Sequence, residues 1–228
     1  MTPEEKADIL NGYDDLEELD KSHFDAIVKW VFDEDSYIRG QCAALLINFV
    51  NSETKDILFA LAADEDDLVR TEAYDSLGVF AYDDVEMFLS KISAEEPDEV
   101  ARSYAILSWA DVAAALQKSP SGHIAKMMAL KSQEKSSGCI LSYCYALYLF
   151  GEKGALMEWL SFLNDDDYHV RCAAISLLEN VVDETNKDVI KNSISKLLET
   201  ESALSVRDKA ARFLKENRSE PSDSDFSM

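Results

Sequence analysis

Asp64–Gly78 reads DEDDLVRTEAYDSLG: an acidic cluster, a Val-Arg pair, Ala and Leu at helical spacing, then Gly. Val69, Ala73, Leu77 and Phe80 fall at i, i+4, i+8 and i+11, one stripe of an α-helix. Asp66 or Asp67 is placed to cap its N-terminus, and the other carboxylates sit at the positive end of its dipole. Gly78 is expected to let the backbone turn out at the other end. The pattern recurs. Ile38-Arg39 is followed by Cys42 and Leu46, Ala101-Arg102 by Ala105 and Trp109, Val170-Arg171 by Ala174 and Leu178, and Val206-Arg207 by Ala210 and Leu214. Each time a small residue comes three after the arginine and a large apolar one seven after.

Arg39, Arg70 and Arg102 lie 31 and 32 residues apart, and Arg171 and Arg207 lie 36 apart. The gap of 69 between Arg102 and Arg171 is about two periods, so one repeat is hidden there. The sequence-based expectation places it at Ser142–Gly151, with Tyr143 in the arginine's place and Gly151 matching Gly78. Ahead of the Val-Arg segments run other helical stripes, such as Phe24, Ile27, Val28 and Val31, then Val85, Phe88, Leu89 and Ile92, then Leu156, Trp159, Leu160 and Leu163. The unit is therefore a helical hairpin: helix A, an acidic turn, helix B and a short return. Residues 1–21 are expected to form a helical cap broken at Asn11-Gly12, 22–217 the repeat array, and 218–228 a disordered tail. Between Gln117 and Gly138 the pattern weakens, and Ser132–Gly138 (SQEKSSG) reads as a polar loop.

Composition agrees. A chain of 228 residues with 47% apolar residues, 7 Gly and 4 Pro suits helices joined by short turns. The N-terminus lacks the pattern of a secretory signal, and the apolar run Cys139–Phe150 is too short to span a bilayer, so a cytoplasmic protein off the membrane is expected. The four cysteines read as reduced packing residues. His169 and Cys172 stand one helical turn apart, but no second pair completes a metal site, so neither metal nor cofactor is expected.

The acidic turn, Val-Arg, Ala, Leu and Gly at a period near 31 resemble the HEAT-repeat family, in its short variety known from phycobilisome lyases. The resemblance implies an all-α fold, a right-handed α-α superhelix (α-solenoid) of about six helical hairpins. It further implies that B helices line a concave binding face, and that Arg39, Arg70, Arg102, Arg171 and Arg207 form a ladder to acidic residues of neighbouring turns. One arginine per repeat at one place suits such a fork contact.

Counted from the arginine, positions +1, +2, +5 and +9 point away from the core stripe. In the middle of the array they bring together Glu72, Asp75 and Asp111 with Tyr104, Tyr145 and Tyr148, a mixture suited to a protein-binding hot spot for a basic partner. A second candidate is an acidic ridge along the A-to-B turns: Asp33, Glu34, Asp35, Asp64, Glu65, Asp66, Asp67, Asp165, Asp166 and Asp167. Capping accounts for one or two carboxylates per turn and leaves the rest to a solvated edge or a partner.

With 22 Lys+Arg against 45 Asp+Glu, the net charge is −23. That argues against direct binding to nucleic acid, and so against the HEAT-type DNA glycosylases, and against docking on anionic membranes. The sequence contains no Walker loop, G-x-S-x-G, HExxH, EF-hand loop or the His-Glu pairs of HEAT-type deoxyhypusine hydroxylases, and no catalytic residue is assigned. The reading that follows is a monomeric, non-catalytic adaptor or inhibitor of a basic protein, for example an immunity protein against a nuclease-type toxin. The alternatives are a scaffold whose charge serves solubility alone, and a tetrapyrrole (bilin) lyase-like protein.

Overall fold

The structure, a computed structural model, describes residues 1–14 and 16–217; the tail expected at 218–228 lies outside the described residues. The described residues form thirteen α-helices and no strand: α1 (Pro3–Asp14), α2 (Lys21–Ile27), α3 (Ser36–Leu45), α4 (Ser52–Leu61), α5 (Asp67–Leu77), α6 (Asp83–Glu95), α7 (Glu99–Ala115), α8 (Pro120–Lys131), α9 (Ser137–Leu149), α10 (Ala155–Ser161), α11 (Tyr168–Glu179), α12 (Lys187–Thr200) and α13 (Leu204–Glu216). They group into two compact units, Met1–Lys153 and Gly154–Met228. The first holds α1 and four hairpins, α2/α3, α4/α5, α6/α7 and α8/α9. The second holds two, α10/α11 and α12/α13. In the first unit the B helices α3, α5, α7 and α9 stack side by side, with α1 against α3; in the second, α11 packs on α13. Six helical hairpins and an all-α fold are what the periodicity predicts.

The arginine-centred stripe is the core. Ile38, Val69, Ala101, Val170 and Val206 are buried, as are Cys42, Ala73, Ala105, Ala174 and Ala210 and the large Leu46, Leu77, Trp109 and Leu178. Fully burying each Leu, Ile or Val contributes about 1.5–3 kcal/mol. The position three after the arginine meets helix A: Cys42 Sγ lies 3.6 Å from the Ile27 carbonyl of α2, and Trp159 Nε1 of α10 donates to the Ala174 carbonyl at 3.1 Å.

Three local expectations are corrected. Helix α1 runs through Asn11-Gly12 without a break. A glycine costs a helix only about 1 kcal/mol, and the fully buried Leu10 anchors α1. Gly78 stays right-handed, at φ −58°. Its glycine is needed for space: a Cβ there would lie 3.0 Å from both the Asp75 carbonyl oxygen and Ser108 Oγ of α7. Among the described residues, positive φ falls instead at Gly151, +99°, and Gln117, +53°.

The third correction concerns the hidden repeat. Each arginine sits four residues after the residue that caps its B helix: Asp35, Asp66, Asp98, Asp167 and Ala203. Helix α9 begins after Ser136, so Ile140, not Tyr143, stands in the arginine's place. Tyr143 occupies the small-residue position instead, buried to 1% exposure, its hydroxyl donating to the Ser93 carbonyl at 3.2 Å. Ser132–Gly138 is accordingly the A-to-B turn and first residues of the fourth B helix rather than an inserted loop.

Candidate functional site

The arginines are committed to the fold. Arg39 donates through Nε and Nη2 to both oxygens of Asp64 in the next turn, each at 2.7 Å. Arg70 does the same with Glu96 at 3.0 and 2.7 Å, Arg102 with Glu134 at 2.9 and 3.1 Å, and Arg171 with Glu201 at 2.7 and 3.0 Å. The third nitrogen, Nη1, donates to carbonyls of the arginine's own turn, as Arg70 does to Asp64 and Glu65 at 3.0 and 3.1 Å. One guanidinium thus fastens its own turn and grips the next. Among the described residues, Arg207 makes only the inner bond, to the Glu201 carbonyl at 2.8 Å.

Each acceptor carboxylate sits two residues before its helix cap and also takes that residue's amide, as Glu134 takes Ser136 N at 3.0 Å. Burial alone would raise the Glu134 carboxyl; the Arg102 fork and the Ser136 and Lys135 amides outweigh it and hold it at about 2. Burial likewise works against Glu96, and the Arg70 fork, the Tyr74 hydroxyl and the Asp98 amide hold its carboxyl below the usual range.

This geometry divides the acidic ridge. Asp64 is the acceptor of Arg39, Asp33 pairs with Lys6 of α1, and Asp165 takes the Asp167 amide at 2.9 Å. Asp35, Asp66 and Asp167 are helix caps. Capping and turn-fastening therefore account for two carboxylates per turn. Glu34, Glu65, Asp67 and Asp166 remain exposed, and no described lysine or arginine forms an ion pair with them.

On the face of the B helices, Glu72, Asp75, Tyr104, Asp111 and Tyr145 lie close enough to act on one another. The Tyr145 hydroxyl donates to Asp111 Oδ1 at 3.0 Å. Glu72 is raised by burial and by the Asp75 charge; Asp75 is raised by burial. Its own surface is more than a third exposed, but surrounding protein displaces water from one side. Asp111 is raised by burial and by Asp75, against the lowering effect of the Tyr145 hydroxyl. Burial and the charges of Asp75 and Glu72 raise Tyr104. Among the described residues, no lysine or arginine pairs with these three carboxylates. Tyr145 and Tyr148 are both buried; Tyr148 stands eight residues after Ile140, not at one of the four face positions, and has Lys153 Nζ 3.8 Å from its ring centroid. Tyr145 keeps its place despite the corrected register, because five residues after Ile140 is the position Asp75 occupies after Arg70.

One cleft went unread in the sequence. It encloses about 680 Å³ between α6 and α8 and is lined by Glu86, Ser90, Lys118, His123 and Lys126 beside Trp109. Its polar groups are spent on one another. Glu86 Oε1 accepts from Trp109 Nε1 at 2.7 Å and meets His123 Nε2 at 3.1 Å; Lys118 pairs with Asp83, and Lys126 donates to Ser90 at 2.6 Å. It acts as a joint between hairpins. Among the described residues, no group of three His, Cys, Asp or Glu could hold a metal ion, and no helix is long and apolar enough to cross a membrane.

The sequence of residues 24–110 matches the family described as HEAT repeats. These residues are HEAT repeats. In structure, the chain is similar to the X-ray structure of YibA of Escherichia coli, with a TM-score of 0.55 and 16% identity over 94% of this chain and 76% of YibA. That likeness concerns the fold, and it extends the helical-repeat architecture beyond the matched HEAT repeats. No curated protein matches the sequence. HEAT repeats form helical scaffolds that typically bind other proteins.

Proposed function

We propose that the chain is a non-catalytic adaptor or inhibitor that grips a basic protein through the face of Glu72, Asp75, Tyr104, Asp111 and Tyr145. One observation carries this reading: three carboxylates share that face without a described lysine or arginine to neutralise them; burial raises all three, and the Asp75 charge further raises Glu72 and Asp111. Such charges weaken the free protein and are relieved when a cationic partner docks. Tyr104, 36% exposed, supplies rigid, amphipathic contact area of the kind that dominates binding hot spots, while the buried Tyr145 holds Asp111 through its hydroxyl. An immunity protein covering a nuclease's phosphate-binding surface is the concrete form this reading takes, in the cytoplasm and as a monomer.

The test compares two variants as bait in the native lysate. Asp75→Asn/Asp111→Asn removes charge from the face, and Glu34→Gln/Glu65→Gln/Asp166→Asn removes it from the exposed ridge. A basic protein captured by the wild type and the ridge variant, but lost by the face variant, supports the proposal. Equal capture by all three overturns the charge argument and leaves a general scaffold with charge serving solubility.

A further inference from the structure

The first unit carries a groove between α3 and α5, at the N-terminal end of the B-helix stack. It encloses about 240 Å³. Gly40 and Ala44 form its floor, Tyr37 and Leu68 its walls, and Asp66 and Glu72 its acidic rim. The floor is low because Gly40 has no side chain: a Cβ there would meet nothing nearer than Glu72 Cγ at 4.0 Å. The walls are unusual. Tyr37 is 55% and Leu68 65% exposed, so two large apolar side chains flank an open slot in water. Small-molecule pockets enclose about 300–1,000 Å³, so the slot suits one inserted side chain better than a free ligand.

Charge decides which side chain. Asp66 is occupied by its own helix, accepting from Leu68 N at 3.0 Å and Val69 N at 3.4 Å. Glu72 is not: among the described residues no cation pairs with it, and neither lysine nor arginine lines the groove. The exposed Glu65 and Asp67 add negative charge beside the walls. An apolar slot ending at an uncompensated carboxylate matches a side chain with an aliphatic stem and a cationic head. We propose that this groove seats one lysine or arginine of the basic partner, its stem between Tyr37 and Leu68 and its head at Glu72. Tyr37 adds an aromatic ring on which the cation can lie. The inference rests on the proposed function and deepens it, because the groove joins the acidic face, through Glu72, to the turns of the ridge.

The experiment measures fluorescence anisotropy of a fluorescein-labelled deca-arginine peptide on the full chain at about 0.15 M salt, with labelled deca-glutamate as control. Gly40→Leu fills the slot and replaces a helical glycine with a better helix former. The expected result is a loss of at least about tenfold in affinity, about 1.4 kcal/mol, with the thermal midpoint maintained. Tyr37→Ser/Leu68→Ser removes the exposed walls and gives a comparable loss, which keeps the test decisive even if Gly40→Leu disturbs the helix. If both variants bind deca-arginine as the wild type does, while Asp75→Asn/Asp111→Asn has lost it, the groove is overturned and the face stands. If the wild type does not prefer deca-arginine to deca-glutamate, the proposed function falls with it.

Discussion

Arg70→Ala tests how strongly the turns are fastened together. In the wild type the guanidinium gives two bonds to Glu96 and two to carbonyls of its own turn, and the Glu96 side chain is only 3% exposed. Without Arg70, Glu96 keeps the Tyr74 hydroxyl at 2.8 Å and the Asp98 amide at 3.1 Å, but its charge has no counter-ion. Removing one member of a buried ion pair costs about 3–5 kcal/mol, mostly through the stranded charge. Glu96→Gln keeps the shape and deletes that charge. Arg70→Ala in the Gln background should therefore cost only about 1–2 kcal/mol, the worth of the remaining bonds, leaving a coupling of about 2–3 kcal/mol. Urea unfolding followed by circular dichroism at pH 7 reads all four corners of the cycle. Acidity gives a second check. The Glu96 carboxyl is lowered from 4.5 in the folded wild type. Its stabilising contribution is therefore complete above 4.5 and is lost as pH falls through the lowered value. The cost of Arg70→Ala should begin to shrink at higher pH, since burial raises the stranded carboxyl once the fork is gone and it then protonates sooner. A cost below about 1 kcal/mol in both backgrounds would refute the reasoning.

The carboxylates of the face should behave in the opposite sense. Because Asp75 is raised above 3.8 by burial, Asp75→Asn should stabilise the protein at pH 7 by up to about 1 kcal/mol after solvent screening, and urea titration should show the gain fading as pH falls through the raised value. Two glycines should also differ in sign, as read by thermal unfolding: Gly40→Ala meets only Glu72 Cγ, at an ordinary contact distance of 4.0 Å, and gains up to about 1 kcal/mol of helix propensity, whereas Gly78→Ala presses on the Asp75 carbonyl and Ser108 and loses about 1–3 kcal/mol.

The hairpin array was legible because its core requirement repeats: a β-branched or small apolar residue, an arginine, a small residue and a large one at fixed spacing. The fourth hairpin was harder to read because Ile140 replaces the arginine and the bulky Tyr143 takes the small position. A different signal survives there. An acid two residues before the cap recurs as Asp33/Asp35, Asp64/Asp66, Glu96/Asp98, Glu134/Ser136, Asp165/Asp167 and Glu201/Ala203. At Asp64, Glu96, Glu134 and Glu201 it is the acceptor of the previous turn's arginine, and the Glu134/Ser136 pair places Ile140 without reference to an arginine of its own. The ridge looked like surplus charge because sequence shows caps through local spacing, whereas the Arg39–Asp64 pair spans 25 residues. The helix positions of the proposed face follow from helix geometry, although Tyr148 was placed among them by the register that α9 corrects. The groove had no signature, since its opening depends on Gly40 of one hairpin facing Glu72 of the next.

The central claim is electrostatic capture of a basic protein, and the salt dependence of that capture tests it most directly. With the partner isolated from the native lysate, its dissociation constant is measured from low salt to well above 0.15 M. The account predicts affinity and association rate falling together as salt rises, with the dependence reduced in Asp75→Asn/Asp111→Asn. An affinity indifferent to salt, or a partner that is itself acidic, would contradict it.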